Sequence, residues 1–121
     1  MSYALPKQRR LRARADFQKV YAEGQRYDGR LMAAFLRAND GKEHRLGVTA
    51  STKAIGKSVD RVRAKRLLRE LFRRSTGDLA PLRNRYDWVI NAKRSLLTST
   101  EELRFREFRR IVEQVARSER R

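Results

Sequence analysis

The 121-residue chain has no cysteine, one histidine and only two prolines. Without cysteine there is no disulfide, no thiolate nucleophile and no cysteine-ligated zinc. His44 has no partner for metal or general-base work and is expected as a surface residue at a strand start. Acids are scarce too: 14 Asp and Glu stand against 31 Lys and Arg, a formal charge of +17. The carboxylates Asp16, Asp60, Asp87, Glu101 and Glu102 show no spacing that a two-metal nuclease site demands, and no nucleophile and base pair stands out. Binding is therefore expected rather than catalysis, with no catalytic residue and no metal ligand in the protein. No apolar run approaches the ~20 residues of a membrane span, and the first residues lack the apolar core of a signal peptide. A soluble, cytoplasmic protein with no membrane partner is expected.

What the chain has instead is basic charge along its length, on a composition that can fold. Apolar residues make up 40% and aromatics 8%, unlike a disordered basic tail. One RNA-binding domain over residues 1–121 is expected, with a basic, flexible segment at 1–12 interrupted by Pro6. The charge is organised by residues 56–74, GKSVDRVRAKRLLRELFRR. At about 100° per residue from Arg61, Lys65, Arg69 and Arg73 fall near 40°, 80° and 120°, with Arg66 near 140°. Ala64, Leu67, Leu68 and Leu71 fall between roughly 240° and 340°, so the opposite side is apolar and docks on a core. Asp60 and Glu70 are too few to pair the seven cations at positions 61–74. Like charges at i,i+4 repel by roughly 0.2–0.5 kcal/mol per pair, a cost that a phosphate backbone would turn into a gain. Val62, near 100°, sets an apolar side chain in the middle of this cationic rail.

Around that helix the remaining elements are short. A helix is expected over 13–23, where Ala13, Phe17, Val20 and Tyr21 share a face and Gly24 stops it. Phe17 and Tyr21, one turn apart, are either core or the edge of an aromatic groove. Residues 31–38 are taken as a strand because Asn39, Asp40 and Gly41 signal a turn after them. Next, Leu46, Val48 and Ala50 alternate with Arg45, Gly47, Thr49 and Ser51, a strand with a small, hydroxyl-bearing face. Residues 52–58 are expected as a turn, 75–85 as a loop, and 86–92 as a strand with Trp88 and Ile90 on one face. Ser99 opens a capping box with Glu102, starting a last helix with Phe105, Phe108, Ile111, Val112 and Val115 on one side. Gly56-Lys57-Ser58 matches the end of a phosphate loop, but Ser51 stands where its first glycine belongs.

Several motifs, in order, resemble the protein subunit of bacterial ribonuclease P from residue 5 to about residue 115. They are Leu5-Pro6-Lys7 with Arg10-Leu11; Asp16-Phe17 and Val20-Tyr21 followed by Gly24; and Arg45-Leu46-Gly47-Val48 followed by Ser51 and Lys53. The most specific is the run Gly56-Lys57, Val59, Arg61, Arg63, Lys65-Arg66, Leu67-Leu68, Arg69-Glu70, similar to the family's arginine-rich signature helix. Val62 departs from the family's asparagine, and the turn at 51–56 is one residue longer than the family's.

The resemblance implies an α+β fold of order αβββαβα, ribosomal protein S5 domain 2-like, with a left-handed βαβ crossover around the signature helix. It further implies one protein bound to one catalytic ribonuclease P RNA. That RNA removes the 5′ leader of precursor tRNA with Mg²⁺ held by RNA and substrate. Carried over residue by residue, Lys57, Arg61, Arg63, Lys65, Arg66 and Arg69 would meet the RNA subunit. Phe17, Tyr21, Phe35, Thr49, Ser51 and Lys53 would line the leader cleft. Composition alone also suits a structural, ribosomal-type RNA-binding protein with no role in tRNA processing.

Overall fold

Alternation along strand β4 (Arg85–Ala92) decides where the layers of the fold lie. Tyr86, Trp88, Ile90 and Ala92 turn to one face of the sheet, and Asp87, Val89 and Asn91 to the other. The computed structural model describes residues 5–121. In it β4 is flanked by β2 (Met32–Asn39), antiparallel, and by β3 (Arg45–Thr49), parallel. An edge strand β1 (Gln25–Asp28) completes the order β1-β2-β4-β3. A parallel β3–β4 pair needs a crossover. It is supplied by α2 (Thr52–Ile55), α3 (Ser58–Arg73) and α4 (Thr76–Leu79). The remaining helices are α1 (Arg14–Glu23) and α5 (Glu101–Glu119), with 3₁₀ turns at Lys7–Arg9 and Arg94–Thr98. This is a mixed α+β fold. No helix among the described residues is long and apolar enough to cross a membrane.

The main core fills one face of the sheet. Trp88 is fully buried there, with the rings of Phe72 and Phe108 at 5.8 and 5.5 Å. Ala64, Leu68 and Leu71 of α3 and Ile111, Val112 and Val115 of α5 close over it. Burying each phenylalanine contributes about 1.5–3 kcal/mol. The other face carries a smaller cluster, Leu11, Val20 and Val89, against which Phe17 and Phe35 are only half-buried. Helix α1 therefore leaves that face partly open.

The structure differs from the sequence expectations at several points. Strand β1 supplies the first of the three strands that the αβββαβα order implies, although its residues, Gln-Arg-Tyr-Asp, are polar and mostly exposed and carry no strand pattern of their own. Of the basic segment expected to be flexible over 1–12, residues 1–4 lie outside the described residues. Parts of the remainder pack on the fold. Leu5 and Leu11 are buried, Arg10 Nε donates to the Leu5 carbonyl at 2.6 Å, and Leu11 N donates to the Leu46 carbonyl at 2.9 Å. The turn over 52–58 contains helix α2, because Ser51 Oγ accepts from Ala54 N at 3.0 Å and caps it. Gly56, at φ 96°, then reverses the chain into α3 in a conformation that favours glycine. The loop over 75–85 contributes Leu79 and Leu82 to the core. The last helix is capped one residue later than expected: Thr100 Oγ1 accepts from Leu103 N, while Ser99 Oγ donates to the Leu96 carbonyl.

His44 is buried, not superficial. Its Nδ1 accepts from Tyr86 N at 3.1 Å and from Trp88 Nε1 at 3.2 Å, so the neutral ring joins the loop before β3 to β4. Burial, reinforced by the Arg85 charge, pushes its pKa down to about 4. Two carboxylates of α5 clamp loops. Glu107 accepts from the backbone N–H of Arg30, Leu31 and Met32 at 2.7, 2.9 and 3.1 Å. Glu119 accepts from Arg83 N, Asn84 N and the Tyr86 hydroxyl at 2.8, 3.1 and 2.5 Å. Burial and that bond to Glu119 push the Tyr86 phenol up to about 12.

Candidate nucleic-acid interface

Helix α3 buries Ala64, Leu68, Leu71 and Phe72 and turns its cations outward. Arg66 and Arg69 are exposed, whereas Arg61 and Lys65 are half-buried. Arg61 Nη1 donates to Thr52 Oγ1 at 3.0 Å, tying α2 to the rail. Lys57 is the exposed residue preceding the first turn. Arg63 does not join the others. It lies about 200° from Arg61 around the helix, and its Nη1 donates to the Leu97 carbonyl at 3.2 Å. Among the described residues no acidic side chain pairs with Lys65, Arg66 or Arg69. Glu70 pairs instead with Arg74, which also meets Glu101 and stacks 4.8 Å from the Phe105 ring centre. Arg74 is thus an internal strut. Within the rail, Val62 is 55% and Val59 77% exposed.

The open face of the sheet forms a cleft against α1. The Tyr21 and Phe35 rings meet edge to face with centres 4.9 Å apart, and the Arg26 guanidinium lies 5.5 Å from the Phe35 centre. Asn91 sits between them and β3: its Oδ1 accepts from Tyr21 Oη at 2.9 Å and from Thr49 Oγ1 at 2.7 Å. Phe17 packs on Gly47 so closely that a Cβ there would lie 2.5 Å from the ring, so this strand position requires glycine. Phe17, Tyr21, Phe35 and Thr49 are therefore brought together. Ser51 lies past the end of β3 with its hydroxyl oxygen accepting the bond that caps α2, and Lys53 is exposed on that helix. Sequence reasoning misses Arg26 and Asn91. Asn91 stands on the polar parity of β4, but only the register that sets it opposite Thr49 and Ala33 makes it a cleft residue.

Rail and cleft meet. A cavity of about 480 Å³ is lined by Leu5, Arg10, Arg12, Phe17, Gly47 and Arg69, among others. It brings an arginine of α3, an aromatic of α1 and two arginines of the N-terminal segment to one hollow. Such a surface defines a class: a basic α+β protein with a cationic ridge running into an aromatic, hydroxyl-lined groove, a chemistry suited to nucleic acid.

Similarity to known proteins narrows the class. The ribonuclease P family model matches residues 5–116. The ribonuclease P protein component of Coxiella burnetii is 40% identical over 86 residues, covering 71% of this chain and 68% of its own. That of Clostridium kluyveri is 37% identical over 86 residues, covering 71% and 75%. Among solved structures, the Thermotoga maritima RNase P protein superposes with a TM-score of 0.67 at 29% identity, covering 89% of this chain and 96% of its own. The Staphylococcus aureus RNase P protein gives 0.69 at 25% identity, covering 93% and 92%. The chain belongs to the ribonuclease P protein family.

Proposed function

We propose that this protein is the accessory subunit of a cytoplasmic ribonuclease P. It binds one catalytic RNA through the α3 rail and holds the 5′ leader of precursor tRNA in the cleft. The observation that carries this reading is the hollow in which Arg69 and Phe17 share a wall, so that one strand can pass from cleft to rail. Arg61, Lys65, Arg66 and Arg69 neutralise phosphates of the folded RNA. Lys57 extends the ridge, and Arg63 contacts RNA from the other shoulder. An extended leader offers unstacked bases, which suit Tyr21, Phe35 and the exposed edge of Phe17. Ser51 and Lys53 lie at the mouth. Mg²⁺ held by RNA and substrate supplies the hydrolytic chemistry, and the protein lowers repulsion between two polyanions and orients the leader.

The test compares precursor tRNA with mature tRNA as ligands of the protein assembled with a bacterial ribonuclease P RNA. A preference for the leader-bearing ligand that Tyr21→Ala erases is expected. Equal affinity for both ligands in the unaltered complex would favour a structural RNA-binding protein instead.

A further inference from the structure

Asn91 is an amide side chain on the cleft floor whose oxygen faces two hydroxyls. Both acceptor sites of its Oδ1 are filled, by Tyr21 Oη at 2.9 Å and Thr49 Oγ1 at 2.7 Å. These bonds come from α1 and from β3, on either side of β4, and set the amide with its oxygen towards the two hydroxyls and its nitrogen away from them. The Nδ2 group has no hydrogen-bond partner among the described residues and is not among the unpartnered atoms sealed from solvent. Its two N–H groups are therefore available to a ligand. The Tyr21 and Thr49 hydroxyl protons are committed to Asn91, which leaves this amide as the donor at that spot. Beside it stands the Tyr21 ring, 40% exposed, with Phe35 at its edge.

We infer that Asn91 determines leader specificity, selecting a keto base, uracil or guanine, at the one leader position seated against Tyr21. The inference rests on the leader reading above. The exocyclic atom is what a base edge presents first. In uracil and guanine it is the O4 or O6 acceptor, which takes a hydrogen bond from Nδ2; in adenine and cytosine it is an amino group, donor facing donor. The hydroxyl oxygens of Tyr21 and Thr49 keep free lone pairs that can accept the neighbouring imino N–H of uracil or guanine.

The experiment uses the protein assembled with a bacterial ribonuclease P RNA and precursor tRNAs competing in pairs that differ at one leader nucleotide. One position should favour uracil and guanine over adenine and cytosine by about fivefold or more, the weight of one hydrogen bond. Asn91→Leu should flatten that ratio to near one. Asn91→Asp keeps an acceptor for Tyr21 and Thr49 and removes both donors, so the ratio should reverse towards the amino bases. Because each readout is a ratio between substrates of one preparation, a general loss of stability or of affinity cancels. If leader-bearing substrate is preferred yet no position favours keto bases, or if Asn91→Leu leaves the ratio intact, the inference fails and the leader cleft stands. If the leader confers no preference at all, both fail.

Discussion

His44 shows how a single side chain ties acid stability to this fold. It is buried as the neutral ring, its pKa lowered from 6.5 to about 4, so the unfolded chain takes up the proton first as the pH falls. Its contribution is complete above pH 6.5 and is lost as the pH falls towards 4, by up to about 3 kcal/mol. Denaturant midpoints measured across that range should decline with acidity, and His44→Gln, which retains an acceptor, should flatten the decline. An equal slope in both proteins would remove His44 as the cause. In the cleft, Tyr21 and Phe17 separate by burial. Tyr21→Ala should weaken leader-bearing substrate relative to mature tRNA by ~1–3 kcal/mol while leaving the melting temperature nearly unchanged. Phe17→Ala should lower both affinity and stability, because its ring also packs against Gly47 and the Leu11 cluster. A stable Phe17→Ala protein with only a binding defect would move Phe17 wholly out of the core.

Helices α3 and α5 divide their charges between the exposed surface and internal architecture. Replacing exposed Arg69 with alanine should weaken RNA binding and reduce the log–log salt slope by roughly 0.7–0.9, the signature of one phosphate contact. Arg63→Ala should change the slope less, since one of its nitrogens is engaged by the Leu97 carbonyl. Equal slope changes would mean that the Arg63 bond gives way to RNA. On α5, Glu107→Ala would strip three backbone N–H groups of their acceptor, and a loss of about 3 kcal/mol or more in denaturant unfolding is expected. Both helices are legible in the residue pattern because a 3.6-residue period over 16 or 19 residues repeats its signal several times. Strand β1, four mostly exposed residues, carries no such repetition, and α2 is held by a cap too local to distinguish from a turn. The aromatic half of the cleft is legible from Phe17 and Tyr21. Asn91 and Arg26 are not, because membership of the cleft depends on cross-strand register, which the alternation within one strand leaves open. The burial of His44 escapes the sequence for the same reason: its partners lie 42 and 44 positions away.

At the scale of the whole molecule, a charge of +17 opposes compaction and favours any polyanion that binds the folded form. Sulfate or phosphate should therefore raise the melting temperature more than chloride at equal ionic strength. The N-terminal segment links charge to fold: seated on β3 through Leu11, it brings Arg10 and Arg12 to the hollow shared by Phe17 and Arg69. The proposed role depends on that hollow joining two RNA surfaces, and reconstituted cleavage tests it most directly. Precursor tRNA would be incubated at low, near-physiological Mg²⁺ and fixed salt with a bacterial ribonuclease P RNA, with and without this protein. Correct 5′ cleavage that appears only when the protein and the RNA are both present, with no cleavage by the protein alone, is the predicted result. Binding of the RNA without rescue of cleavage, even with the RNA from the same organism, would contradict it.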